Sequence, residues 1–259
     1  LYEGVDLPGR GTTALITYLR TDSTRIADEA IATCKKYIEE NYGKEYASNV
    51  VQHEKEKANK VQDAHEAIRP TYLELTPSMV KESLSKDEYK LYSLIWRRFV
   101  ACRMTNAIYD TEKVTFDANK YIFNTNSSKV VFQGFMTMYK DEEEKDEKGT
   151  SIPNFNIGDE LFLKEFDKEQ HFTQAPPHFT ESSLVKLLEE NGIGRPSTYA
   201  TIMETIKARD YVTIEDKHFV PTKIGIETTD KLQEGFSDII NVEYTANMEN
   251  DLDEIADDK

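Results

Sequence analysis

The spacing of apolar residues changes twice along this chain, and that change limits the folds open to it. Up to about residue 106 the spacing is helical. Ile26, Ala30, Cys34 and Ile38 recur at every fourth position and share one helix face. From about 107 to 170 apolar and polar residues alternate, as at Val114, Phe116 and Ala118, which predicts strands with one buried face. From about 171 the helical spacing returns. The pattern predicts a multidomain α+β chain divided at 1–106, 107–170 and 171–259. A length of 259 residues fits one large domain or two to three small ones, at about 100–150 residues each.

Local signals refine each block. In the first, Ser23 is positioned to cap a helix that residues 41–43 then stop. Thr76-Pro77 opens a short helix, and Ser85 with Glu88 forms a capping box ahead of a helix carrying Tyr92, Ile95, Trp96, Phe99 and Met104 on its core side. In the second, Tyr121-Ile122-Phe123 follows a turn at Asn119-Lys120. Residues 124–129 (NTNSSK) read as a loop, and residues 161–166 as another short strand. In the third, Thr180 caps a helix stopped by Asn191-Gly192. Gly194 to Thr198 start a second helix, a hairpin follows over 211–220, and Pro221-Thr222 opens a further helix. Helix, turn, helix, hairpin is the order of a winged helix.

Composition excludes several classes. With 38% hydrophobic residues the chain can build a core. No apolar run approaches the roughly 20 residues of a membrane span. Glu3, Asp6, Arg10 and Arg20 interrupt the first twenty residues, so no signal peptide is expected. Cys34 and Cys102 form no CxxC, which argues against a disulfide framework or cysteine zinc site and fits a reducing cytoplasm. The chain begins at Leu1 and stops mid-pattern at Lys259, as a piece of a longer polypeptide would.

A net charge of −16 taken alone argues against a nucleic-acid partner. The charge is uneven, however. Residues 141–148 hold six acidic and two basic side chains, and residues 249–259 hold six acidic and one basic. These runs read as a solvated loop and a solvated helix face, away from every candidate contact.

Three segments carry candidate chemistry. Residues 194–198 (GRPST) precede a helix whose first N–H groups attract an anion. Arg195, Ser197 and Thr198 suit a phosphate there, with Arg209 at the far end of the same helix. An ordinary cap with a structural turn is the competing reading, and spacing does not choose between them. Residues 16–24 (ITYLRTDST) set Tyr18 two positions from Arg20, on one side of an extended segment. A phenol acts as a nucleophile when a base or positive charge activates it, yet Tyr18 is one of 14 tyrosines and equally reads as a buried residue. Residues 62–71 (QDAHEAIRPT) place His65 among Asp63, Glu66 and Arg69. A histidine here could donate to a phosphate or simply hold a structural bond. With His53 and Glu54 the cluster invites a metal reading, but no HExxH-like spacing supports one.

These segments, in this order, resemble the bacterial DNA topoisomerase I (type IA) family. Residues 16–24 resemble its active-site tyrosine motif, and residues 62–71, 179–212 and 236–259 resemble three further stretches. The resemblance runs end to end and is weakest over the strands. It implies a fragment of the family's torus: a helical gate domain, an antiparallel β arch and a winged-helix-like DNA-binding base. It implies Tyr18 as nucleophile, Arg20 as its positioning and charge-stabilising partner, and His65 close to the same phosphate. Arg195, Ser197, Thr198 and Arg209 would contact the DNA backbone.

The resemblance further implies a monomer in the bacterial cytoplasm, associated with the nucleoid and acting on single-stranded segments of negatively supercoiled DNA. The family's Mg²⁺ ligands lie in an amino-terminal TOPRIM domain, which this sequence does not contain; none is expected here. Carboxyl-terminal DNA-binding repeats or zinc ribbons are likewise absent, so catalysis by this chain alone is not expected. A non-enzymatic winged-helix DNA-binding module is the alternative. It accounts for residues 180–221 and leaves 16–24 and 62–71 unexplained.

Overall fold

Two-stranded antiparallel hairpins and amphipathic helices make up the computed structural model, which describes residues 1–48, 65–139, 153 and 155–256. The described residues fall into two compact units, one up to Glu165 and one from Phe166 on. The described residues of the 107–165 stretch group with the first unit.

In the first unit, β1 (Val5–Leu7) pairs antiparallel with β2 (Gly11–Thr13). Three helices follow: α1 (Asp28–Asn41), α2 (Pro77–Val80) and α3 (Lys86–Ala101). α1 does not begin at Ser23. The Ser23 hydroxyl accepts from the Arg25 N–H (3.2 Å) in a local turn, and the helix starts after Ala27. Asp28 and Glu29 then face its positive end. The helix stops where Gly43 takes a φ of 110°. α3 carries the expected capping box, with Ser85 and Glu88 bonding reciprocally.

One cluster forms this unit's core: Leu15, Ile16, Cys34, Ile38, Val80, Tyr92, Trp96, Phe99 and Val100 among others. Burying each large apolar side chain contributes roughly 1.5–3 kcal/mol. The polar tips are satisfied. Tyr92 Oη donates to the Leu75 carbonyl (2.6 Å), and Trp96 Nε1 donates to the Leu73 carbonyl (3.1 Å). Met104 is buried too, but beyond the end of α3.

β3 (Ile108–Ala118) and β4 (Tyr121–Phe132) form a long hairpin that turns at Asn119, where φ is 60°. Two expectations fail here. Val114 and Phe116 are only half-buried and Ala118 is exposed, so β3 has no buried face. Residues 124–129 are not a loop but lie within β4, with Asn124 opposite Thr115 and Lys129 opposite Asp110. A hairpin exposed on both sides can pair polar residues. Thr115 Oγ1 donates to Asn124 Oδ1 (2.9 Å), and the Thr111 and Ser128 hydroxyls lie 3.2 Å apart. A 3₁₀ turn over Gly134–Tyr139 then packs on α3. The acidic run at 141–148 lies outside the described residues.

Residues 161–166 join no ladder among the described residues, so the expected strand is absent there, and their side chains are exposed. The second unit otherwise follows the predicted order. α4 (Glu181–Glu190) and α5 (Tyr199–Ala208) lead to a hairpin of β5 (Val212–Glu215) and β6 (His218–Pro221), then α6 (Lys223–Phe236) and α7 (Val242–Ala256). Thr180 caps α4 and Thr222 caps α6. Asp216 and Lys217 both take positive φ, the form a two-residue hairpin turn requires. Met203 and Phe219 are this unit's buried apolar side chains among the described residues. Gly225 lets the start of α6 approach the Tyr211 carbonyl, where a Cβ would collide. Among the described residues no helix is long and apolar enough to cross a membrane.

Candidate active site and candidate phosphate-binding turn

Tyr18 sits just past a short antiparallel pairing that the sequence patterns did not reveal. Ile16 bridges Pro70, the Thr17 N–H donates to the Arg69 carbonyl (3.0 Å), and the Thr71 N–H donates to the Leu15 carbonyl (3.0 Å). The Thr17 hydroxyl donates to the Ala67 carbonyl (2.9 Å) and accepts from the Arg69 N–H (3.0 Å). Leu15 and Ile16 are buried, so the segment is anchored on the core and Tyr18 emerges from it.

This pairing brings His65 to Tyr18. Their ring centroids lie 5.1 Å apart at an interplanar angle of 38°. Tyr2 meets the Tyr18 ring edge-on at 5.5 Å and 70°. It is held there by the neighbouring Leu1 carbonyl, which accepts the Leu15 N–H (2.9 Å). Tyr18 is 39% exposed, which excludes the buried-tyrosine reading. His65 is half-buried. The backbone bends at Thr17, Leu19 and Arg20, so the two-residue spacing that assumed an extended segment does not hold for Tyr18 and Arg20. Arg20 is exposed and has no hydrogen-bond or ion-pair partner among the described residues.

Glu66 and Arg69 have a different place. Arg69 Nε donates to Glu66 Oε2 at 2.8 Å, and the same oxygen accepts the Ala27 N–H at 3.4 Å. The Arg69 hydrogen bond, outweighing partial burial, holds the Glu66 carboxyl below the usual glutamate range. Glu66 thus ties residues 65–71 to the start of α1, which removes it from the metal reading. His53, Glu54 and Asp63 lie outside the described residues. Tyr2 and Thr17 were not legible as site residues, because nothing in their spacing links them to His65 or Arg69.

The second candidate is the turn between α4 and α5. Gly192 (φ 71°) and Gly194 (φ 76°) take left-handed conformations. The Thr198 hydroxyl accepts the Arg195 N–H (2.9 Å) and donates to the Arg195 carbonyl (3.1 Å), closing the turn on itself. It therefore makes no cap bond to α5. Ser197 is exposed at the helix start and Arg209 is exposed at its end, neither with a side-chain partner among the described residues.

Arg195 is not free. Its Nη1 lies 3.1 Å from Glu249 Oε2 and its Nη2 lies 2.8 Å from Asp253 Oδ2, both carboxylates projecting from α7. Glu249 Oε1 also accepts the Gly194 N–H at 3.1 Å. The acidic run at 249–259 was expected away from every candidate contact. Two of its carboxylates instead hold the principal arginine of the turn, because α7 carries Glu249 and Asp253 one turn apart on the face that meets it.

A family model described as "DNA topoisomerase" matches residues 1–259. The solved structure of full-length topoisomerase I from Thermotoga maritima is similar at 34% sequence identity and a TM-score of 0.74. The match covers 98% of this chain and 40% of that one. A match over both units does not favour a free-standing winged-helix module, which accounts for the second unit alone. By sequence and by fold, the chain belongs to the DNA topoisomerase family.

Proposed function

We propose that this chain carries the nucleophile of an ATP-independent topoisomerase that cleaves and rejoins one DNA strand. The exposed Tyr18 phenol beside His65 is the observation that carries this reading. Tyr18 Oη attacks a phosphodiester of a single-stranded segment. The new bond joins Oη to phosphorus, and the bond from phosphorus to the 3′ oxygen breaks. The phenol proton is released, and the 3′ oxygen takes up a proton to become a free hydroxyl. The product is a 5′-phosphotyrosine. Reversal after strand passage reseals the break and relaxes negative supercoils. The ester conserves the energy of the broken bond, so no nucleotide is consumed.

Arg20, which has no hydrogen-bond or ion-pair partner among the described residues, supplies a planar fork of donors to the phosphoryl oxygens as charge builds on them. His65 donates to the same phosphate. Ser197, Thr198, Arg195 and Arg209 form the backbone track on the second unit. No group of three metal-ligating side chains occurs among the described residues, and the rings packed against Tyr18 are the phenol of Tyr2 and the imidazole of His65. These do not fit a Mg²⁺ site, so no step is routed through one. We assign the Mg²⁺ of the reaction to a TOPRIM domain of the whole enzyme, and we assign that enzyme to the bacterial cytoplasm, acting as a monomer.

The chain spans 40% of the Thermotoga maritima structure it matches, so relaxation is assigned to the whole enzyme. The test is adduct mapping in that enzyme. Cleavage trapped by denaturant is expected to leave a single nucleotide-bearing peptide containing Tyr18, absent in Tyr18→Phe. Attachment at any other tyrosine would overturn the assignment. The 259 residues alone are expected not to relax a supercoiled plasmid.

A further inference from the structure

The two carboxylates on Arg195 are not equivalent. Glu249 is 24% exposed and makes two contacts, one to the Gly194 N–H and one to the guanidinium. Asp253 is 54% exposed and makes one, to Nη2. Nη1 also donates to the Gly194 carbonyl at 2.6 Å and approaches that of Gly192 at 3.4 Å. Nη2 approaches the Glu249 carbonyl at 3.5 Å. The terminal N–H groups of Arg195 are thus taken up within the protein, and a ligand can reach them only by replacing a partner.

Exposure decides which partner is replaced. An exposed ion pair is weak and exchanges readily, whereas a carboxylate withdrawn from water that also holds a backbone N–H does not. Glu249 further fixes a turn in which Gly194 is left-handed, and a side chain there would press on the Tyr199 ring. A phosphodiester accepts guanidinium donors in the same fork geometry as a carboxylate. Exchanging Asp253 for a phosphate keeps Arg195 paired throughout and returns the aspartate to water.

Resting on the DNA reading above, we propose that Glu249 is a positioning residue that holds Arg195 toward a DNA phosphate, and that Asp253 occupies the place on the guanidinium that the phosphate takes. The two carboxylates then act on DNA binding with opposite sign.

The test uses the 259-residue chain and a fluorescein-labelled oligothymidine, titrated by anisotropy across a salt series. Asp253→Asn is expected to tighten binding about two- to fivefold, the scale of one exposed ion pair. Glu249→Gln is expected to weaken it roughly threefold or more and to flatten the log Kd against log salt slope by about 0.7, the loss of one phosphate contact on a single strand. A purely structural role for Glu249 would lower the melting temperature and leave that slope unchanged. Neither substitution is expected to matter in an Arg195→Gln background. Unchanged or weaker binding by Asp253→Asn, at a half-exposed position whose change leaves the fold intact, overturns the proposal. An unchanged slope for Glu249→Gln does the same. If Asp253→Asn fails in this way while Arg209→Gln still weakens binding, the DNA track stands without the exchange. If neither the parent chain nor any variant binds the oligonucleotide, the DNA reading of the turn falls with it.

Discussion

Thr17 and Arg69 hold each other by two hydrogen bonds: the Thr17 N–H donates to the Arg69 carbonyl and the Arg69 N–H donates to the Thr17 hydroxyl, each at 3.0 Å. The clasp sits between two residues of opposite character. On one side Ile16 is buried in the core; on the other Tyr18 faces solvent beside His65. The position of the phenol is therefore set by backbone pairing with a segment distant in sequence, not by its own neighbours.

Thr17→Val tests the clasp. Valine matches the shape but leaves the Arg69 N–H and the Ala67 carbonyl unpaired in a partly buried place. The expected loss is about 1–3 kcal/mol in urea unfolding of the chain. Adduct formation in the whole enzyme should fall by more than the folded fraction does, because Tyr18 loses its alignment with His65.

Arg20 has no structural partner among the described residues, so its removal should leave stability within about 0.5 kcal/mol. Single-turnover cleavage by the whole enzyme should fall about 10²–10³-fold in Arg20→Ala. Lysine keeps the charge without the fork and should restore only part of the rate.

Glu66 gives the first unit an acid limb. Its folded pKa lies below the unfolded value, chiefly through the Arg69 hydrogen bond. Its contribution is therefore complete above the ordinary glutamate range and is lost as pH falls through the folded value. Urea unfolding from about pH 7 to about pH 3 should show stability falling with acid, and Glu66→Gln should flatten that fall.

Cys34 should be chemically silent in the folded chain. Burial, assisted by nearby Cys102, pushes its thiol up to about 12, so almost no thiolate exists at neutral pH. Burial raises the Cys102 thiol as well. Alkylation by iodoacetamide at pH 7 should be slow for both and should accelerate with unfolding in urea.

Local order in this chain follows from short-range chemistry. The capping boxes at Ser85 and Thr180, the stop at Gly43 and the turn at Asp216-Lys217 arise from contacts within a few residues, and such signals can be read directly from the sequence. Where the outcome depended on a distant partner, local reading failed. Ser23 lost the cap to its own turn while Glu66 came to the start of α1. Residues 124–129 became strand because β3 offered polar partners, and residues 161–166 found no strand to pair with.

The same division holds at the candidate sites. The sequence by itself determined the family, through long ordered motifs, and singled out Tyr18, Arg20 and His65 as the groups proposed to react. Tertiary structure alone decided that Tyr18 and His65 meet and that Tyr2 joins them. It also decided that Arg195 is paired with Glu249 and Asp253 rather than left unpaired. A motif specifies which functional groups are present. Where a side chain points, and whether its charge is free, depends on hydrogen bonds and ion pairs between segments far apart in sequence, and no local pattern encodes those.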